Sequence, residues 1–206
     1  MGTVLPPERQ KEAMKLARES MSSYVKSGRR NRPGCMEDEF YDRTGVLVKL
    51  QSVRGRNSVR GSAACYKRGK QMSDAIVDAV IEASGNSGGL SEVTEREVDS
   101  ISITLCLLNE LREIDDDHSR KIDIGRDGVI VEDDRDKGWI LPTMPVEHDW
   151  TVPKFLDRAC CKAGLSAGEW RKNHVTTYAF NGQILRENEP AGKVDELDLS
   201  KMKPKA

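Results

Sequence analysis

Ile101-Ser102-Ile103-Thr104-Leu105-Cys106-Leu107 alternates large apolar residues with small or polar ones at a period of two. That spacing predicts a strand with one face in a core, and it is the cleanest such pattern in the chain. Its neighbours set the fold class. Upstream, Ala75, Ile76, Ala79, Val80 and Ala83 fall on one helical face, predicting a helix over about 73–83 with Ser73 as N-cap and a flexible loop over 84–89. Before it, Val46, Val48 and Leu50 alternate with Leu47 and Lys49, a strand partly buried on both faces. A basic, glycine-containing loop or hairpin over 51–58 links that strand to Val59–Cys65. At the N-terminus, Pro6 and Pro7 sit where a first helical turn tolerates proline. Met14, Ala17, Met21, Tyr24 and Val25 then share a face, and Gly28 is the expected stop. Residues 28–34, with Arg29, Arg30 and Arg32, read as an exposed basic loop.

Downstream, Asp115-Asp116-Asp117-His118 forms an acidic tip. Turn residues at 125–128 and 133–138 bracket Val129–Val131 and lead back into Trp139–Leu141, a predicted hairpin. Val152, Phe155, Leu156, Ala159, Cys160 and Ala163 lie on one face of a third helix, closed by Gly164. A short helix over about 167–172 leads to a strand over 175–187. Within that strand Asn181-Gly182 reads either as a two-residue hairpin turn or as a bulge in one long strand. The Lys- and Asp-rich segment after Pro190 is expected to be weakly ordered. Strands and helices intermingle without regular βαβ spacing, which favours an α+β fold over a doubly wound sheet.

The 206 residues suffice for one large domain or two small lobes. Thirty-three basic and 34 acidic residues cancel to a net charge of −1. No overall positive field therefore draws in phosphate backbones, which argues against nucleic-acid or membrane-surface binding. No apolar run approaches the ~20 residues of a membrane span, and the N-terminus lacks the apolar stretch of a signal peptide. The cysteines, at 35, 65, 106, 160 and 161, are odd in number and form no CxxC pair. Their spacing suits neither a zinc ribbon nor a disulfide framework, and a reducing, cytoplasmic location is expected. Cys106 and Cys160 fall at apolar positions and read as small core residues.

Most motifs of catalysis are missing. No GxGxxG, Walker loop, HExxH or GxSxG occurs, and Arg60-Gly61-Ser62-Ala63-Ala64 lacks the hydrolase elbow. Asp134, Asp136 and Gly138 echo part of a calcium loop, but Pro145 stands where its twelfth-position glutamate belongs, so a hairpin turn is the reading and no metal is expected. Two segments stand out. In Val59-Arg60-Gly61-Ser62, a glycine beside an arginine lets backbone approach a ligand while the guanidinium clamps a carboxylate or phosphate; a tight strand entry with a structural arginine accounts for the same residues. In Leu141-Pro142-Thr143-Met144-Pro145-Val146-Glu147-His148-Asp149-Trp150, two prolines stiffen a segment that brings a carboxylate, an imidazole and an indole within four residues. Glu147 or His148 is the acid or base candidate there. Helix capping by Asp149 and packing by Trp150 explain part of it without function.

Taken in order, these pieces resemble the AMMECR domain family, named for a human chromosomal region linked to Alport syndrome, midface hypoplasia and elliptocytosis. The resemblance runs through Gly45-Val46-Leu47-Val48, Arg60-Gly61, Gly125-Arg126-Asp127-Gly128-Val129-Ile130-Val131 and Leu141–Glu147 with Trp150. Phe155-Leu156, Lys162-Ala163-Gly164-Leu165, Trp170, Tyr178, Phe180 and Gln183 complete it. It implies a two-lobed α+β fold with a mixed or antiparallel sheet flanked by helices, over residues 5–190, with 191–206 as a charged tail. It also implies a cleft between lobes as the suspected site. No activity of the family is firmly established, but its members accompany Memo-type and radical-SAM proteins, which implies such a protein as a partner. One departure stands out: the family signature Leu-Arg-Gly-Cys-Ile-Gly is here Val59-Arg60-Gly61-Ser62-Ala63-Ala64, with serine in the cysteine's place. Cys65, three residues on, points to the opposite strand face and is a poor substitute.

The resulting expectation is a cytoplasmic protein without cofactor or metal that binds a small anionic ligand or a partner segment. Arg60 would supply charge, Gly61 and Ser62 backbone approach and a hydrogen bond, and Glu147 with Trp150 the opposite wall. Two alternatives stay open: an enzyme of a Memo or radical-SAM pathway with Glu147 or His148 as general base, and an interaction module using Arg29–Arg32.

Overall fold

The computed structural model describes residues 4–54, 58–67, 69–85, 90–115 and 118–201. In chain order its elements are α1 (Pro7–Ser27), β1 (Val46–Ser52), β2 (Val59–Cys65), α2 (Met72–Ser84), β3 (Ile101–Glu113), α3 (His118–Lys121), β4 (Gly128–Glu132), β5 (Lys137–Ile140), α4 (Thr143–Glu147), α5 (Val152–Lys162), β6 (Thr176–Glu187) and β7 (Val194–Glu196). Helices mixed with antiparallel strands make this an α+β fold, as the sequence pattern predicts. Two compact units are formed, one from Met1–Asn109 and Gly182–Leu197, the other from Glu110–Asn181 and Asp198–Ala206. Strands β3 and β6 each contribute to both units, β3 mainly to the first and β6 equally to the two. Among the described residues no helix is long and apolar enough to cross a membrane.

In the first unit, α1 starts with proline in its first turn, buries Ala13, Met14, Leu16, Ala17 and Met21, and ends where the Gly28 N–H donates to the Tyr24 carbonyl. β1 lies between β2 and β3, antiparallel to both, with Val48 opposite Ala63 on one side and Leu105 on the other. β7 pairs with β6, placing Leu185 opposite Glu196. α2 packs on α1, β1 and β2. Its Ala75, Ala79 and Ala83 are fully buried, and this small-residue face permits a close approach. The approach is closest at Gly61, where a Cβ would lie only 1.8 Å from the Ala83 carbonyl oxygen. Ile76, Val80, Leu50, Ile103 and Phe40 fill the core between these elements; full burial of each is worth roughly 1.5–3 kcal/mol.

The second unit centres on the hairpin β4–β5, with Val129 opposite Ile140, and on the first half of β6, which pairs with β4. The Asp133 carboxylate accepts the N–H groups of Arg135 and Asp136 at 2.9 and 2.7 Å, an Asx-type turn that closes the hairpin. α5 covers β4 and β5 with Phe155, Leu156, Ala159 and Cys160. Asp127 is fully buried; one of its oxygens accepts Arg112 Nη2 at 2.7 Å and the Asp123 N–H at 3.0 Å.

Several local expectations change. α2 starts one residue before Ser73, with Gln71 at the N-cap, because Met72 N–H donates to the Asp42 carbonyl and Gln71 bridges to Arg43. Ser73 is a buried first-turn residue instead. Asp149 does not cap α5; Thr151 holds that position. The short helix over 167–172 is a single 3-10 turn, Glu169–Arg171. Asn181-Gly182 is no hairpin turn: β6 runs straight through, and Gly182 is needed because a Cβ there would strike the Leu107 carbonyl on β3. β3 buries Thr104 and Cys106 as well as its large residues, so neither face of its centre is wet. Within the charged segment after Pro190, Val194–Glu196 form β7 and Leu199–Lys201 a 3-10 turn. Residues 86–89 of the expected flexible loop, Asp116 and Asp117 of the acidic tip, and residues 202–206 lie outside the described residues.

The two ends of the first unit are joined by a buried charge pair. Arg18 on α1 donates through Nε and Nη2 to both Glu187 oxygens, and through Nη1 and Nη2 to the carbonyls of Val98 and Ile101. Glu187, 3% exposed, also accepts the Ile103 N–H at 2.8 Å. Removing one partner leaves the other charged and unpaired, so Arg18→Met or Glu187→Leu is expected to destabilise by about 3–5 kcal/mol in urea unfolding. Arg18→Met/Glu187→Leu together should recover much of that loss; a double mutant as weak as the sum of the singles would refute the coupling.

Candidate functional site

The first sequence candidate lies on β2. Strand alternation puts Gly61 and Ala63 on the face toward α2 and leaves Arg60 and Ser62 on the other. Arg60 Nε donates to Glu97 Oε1 at 2.7 Å and Nη2 to Oε2 at 3.2 Å, a two-pronged grip, while Nη2 also reaches the Glu92 carbonyl at 3.4 Å. Glu97 in turn accepts the Thr94 N–H at 2.9 Å and the Thr94 hydroxyl at 2.8 Å, at the start of the 3-10 turn Glu95–Ser100. The Arg60 hydrogen bonds, joined by those from Thr94 and opposed by partial burial, hold the Glu97 carboxyl down from 4.5 to about 2. The charge of Arg60 is therefore largely matched within its own unit. Ser62, half-buried, sits opposite Lys49 in the β1 register. Cys65 packs against the core, on the face opposite Ser62.

The second candidate lies in the second unit. Pro142 starts α4 and Pro145 lies buried within it, while the His148 N–H donates to the Met144 carbonyl and the Trp150 N–H to that of Pro145. These bonds tie down a short segment whose Leu141, Thr143 and Val146 are buried. Glu147, His148 and Asp149 are exposed, and Trp150 is half-buried against the unit's core. Asp149 has φ +52°, a left-handed conformation that costs a non-glycine residue of order 1 kcal/mol or more. That reversal lays the His148 ring on the Trp150 ring, centroids 5.1 Å apart and planes 17° from parallel. The Arg158 guanidinium, from α5, lies 5.7 Å from the Trp150 ring centroid, within cation–π reach.

The structure thus brings His148 and Trp150 into one stack with Glu147 beside them in sequence. Arg60, Gly61 and Ser62 sit in the first unit. Two participants were missed from sequence. Glu97 was announced by the Thr94-x-x-Glu97 capping signature; Arg158 carried no signal, because its role depends on where α5 packs. Among the described residues no group of three His, Cys, Asp or Glu side chains is placed to hold a metal. Burial pushes the Cys106 thiol up to about 12 and raises Cys160 as well, so both are core residues rather than nucleophiles. Tyr178, whose hydroxyl donates to Glu132 at 3.2 Å, is raised to about 12 by burial and by that carboxylate.

Known proteins match this chain along nearly all of its length. The AMMECR1 family model matches residues 14–185. The Halobacterium salinarum protein VNG_2543C is 40% identical over 181 residues, covering 84% of this chain and 86% of its own. The Methanopyrus kandleri protein MK0488 is 30% identical over 205 residues, covering 97% and 99%. The crystal structure of uncharacterized protein PH0010 from Pyrococcus horikoshii superimposes with a TM-score of 0.82 at 27% identity, over 94% of this chain and 98% of that one. The names of these relatives state no activity.

The Arg60–Glu97 grip has a pH signature. Because the folded Glu97 value lies below its ordinary one, its contribution is complete above pH 4.5 and is lost as pH falls toward 2. In urea unfolding over that window, Glu97→Gln should remove the acid-dependent increment and Arg60→Ala the larger part of it, the Thr94 bonds retaining the rest. An unchanged pH profile in Arg60→Ala would show that Arg60 does not hold Glu97. Gly61→Ala should unfold at lower urea at every pH, since its methyl displaces α2 rather than a charge.

Proposed function

This chain belongs to the AMMECR1 family, and from that premise we propose that it is a binding protein for a small anionic ligand or a partner segment, with the His148–Trp150 stack as its contact surface. The observation that carries this is the left-handed Asp149, which holds an exposed imidazole against a half-buried indole. A strained residue whose effect is to present two rings is a feature that packing alone does not require. Trp150 offers a flat face, Arg158 a positive charge over it, and His148 an imidazole ring stacked beside it. A planar group bearing a carboxylate or phosphate suits that combination. Glu147 bounds the surface and disfavours ligands with charge on that side.

Arg60, Gly61 and Ser62 enter the proposal as a separate contact within the first unit, through the guanidinium nitrogen that takes no part in the Glu97 pair. A cytoplasmic location accompanies this reading, since all five cysteines are free. A Memo-type or radical-SAM protein is the proposed source of a partner segment, on the family resemblance alone.

Thermal shifts against a panel of carboxylates, nucleotides and phosphorylated metabolites test the proposal. A ligand at 100 times its Kd should stabilise the fold by ~2.7 kcal/mol, and Trp150→Ala or Arg158→Ala should erase that shift. A shift by a phosphate-free carboxylate that persists in both variants would place the ligand elsewhere and overturn the assignment. If a hit is also turned over, and Glu147→Gln or His148→Gln stops turnover while binding survives, the protein is an enzyme with that residue as its base.

A further inference from the structure

The exposed basic loop over 28–34 does not stand free. Arg30 folds back onto α2, its Nε donating to Asp78 at 2.9 Å and its Nη2 to Asp74 at 2.6 Å. From the other side of the same helix start, Lys70 donates to the second oxygen of Asp78. Arg43, bridged to Gln71 through the backbone, completes the ring. Together with Gly69 these residues line a cavity of about 390 Å³. Three segments distant in sequence, at 30, 43 and 69–71, thereby converge on one concavity within the first unit.

We propose that this cavity is a phosphate-binding site for a small phosphorylated molecule, independent of the His148–Trp150 surface. Its volume lies within the roughly 300–1,000 Å³ of small-ligand pockets. Three cations face two carboxylates, so the lining carries a net positive charge. The aspartates orient Arg30 and Lys70 and leave donors over: Lys70 uses one of its three N–H groups on Asp78, and the Arg30 Nη groups each keep one. Hydrogen bonding to Asp74 and Asp78 holds Arg30 and Lys70 above their ordinary values, so both stay charged through the neutral range. Arg43 makes no side-chain ion pair among the described residues and brings a full guanidinium fork, the geometry that suits phosphate oxygens. The cavity also takes in Gln71, where α2 begins without a side-chain cap, so the positive end of that helix adds to the same field. A carboxylate ligand would use the fork but leave the remaining Lys70 and Arg30 donors unmet, which favours the anion with more oxygens.

Titration of the full chain with inorganic phosphate, followed by amide NMR at constant ionic strength against chloride, tests the site. Saturable shifts are expected at Gly69, Lys70, Arg43 and the first turn of α2. Arg43→Ala and Lys70→Ala should each weaken binding about tenfold or more, with unchanged spectra elsewhere, and Arg43→Lys should recover only part. Trp150→Ala should leave the phosphate shifts intact, so loss of the His148–Trp150 surface does not touch this result. Shifts that grow linearly without saturation, or that are equal in Arg43→Ala and the unaltered chain, would overturn the proposal. Saturation by acetate at the same affinity as phosphate would overturn the phosphate assignment.

Discussion

A buried arginine–glutamate pair holds the first unit together, and the rest of that unit is arranged around it. Arg18 on the first helix and Glu187 on the sixth strand are 169 residues apart in sequence. Arg18 places two further donors on the carbonyls of Val98 and Ile101, and Glu187 takes the Ile103 N–H. A charge buried this far is tolerated when it is paired and hydrogen-bonded, and this pair draws its partners from α1, β3 and β6 at once. Gln183 repeats the device: its side-chain oxygen accepts the Leu5 N–H, and its nitrogen donates to the Leu5 carbonyl and to Glu196. The first unit is thus closed by the chain's own N-terminal and C-terminal segments.

That closure constrains how the protein is built. The second unit is formed mainly by the continuous stretch 110–181, whose central contacts are a hairpin and the helix that follows it. The first unit must bring residues 182–197 back to the opening helix, and contacts of such separation slow folding more than they change stability. The second unit also buries a carboxylate, Asp127, but its partners Arg112 and Asp123 are closer in sequence. The His148–Trp150 stack therefore rests on local structure, between a proline-bounded helix and α5. The Arg30–Arg43–Lys70 cavity depends on tertiary packing of α1, α2 and the segments between them.

The Arg60 segment illustrates how a recognisable motif divides between chemistry and architecture. Its glycine is required because α2 leaves no room for a side chain at position 61. Its arginine grips Glu97, and so pins the turn preceding β3 to β2. Its serine, Ser62, is half-buried in a strand register opposite Lys49. Most of what makes this segment distinctive in sequence is explained by packing, whereas the equally distinctive 141–150 segment leaves an exposed imidazole on a half-buried indole and a strained residue that packing does not explain.

Periodicity and turn chemistry in the sequence determined the elements themselves: α1 stopping at Gly28, β3 through Ile101–Leu107, the hairpin around Asp133, α5 with its apolar face, and from these the α+β class. Those features are written in residues a few positions apart, where hydrophobic spacing and backbone preference act locally. Only the tertiary structure decided that α2 starts at Met72 on the Asp42 carbonyl, that Gly182 continues a strand against Leu107, and that Arg60, Arg18 and Arg30 take Glu97, Glu187 and Asp74 with Asp78 as partners. A charge chooses its partner by distance in space and by the desolvation it shares there, and neither quantity is a function of separation along the chain.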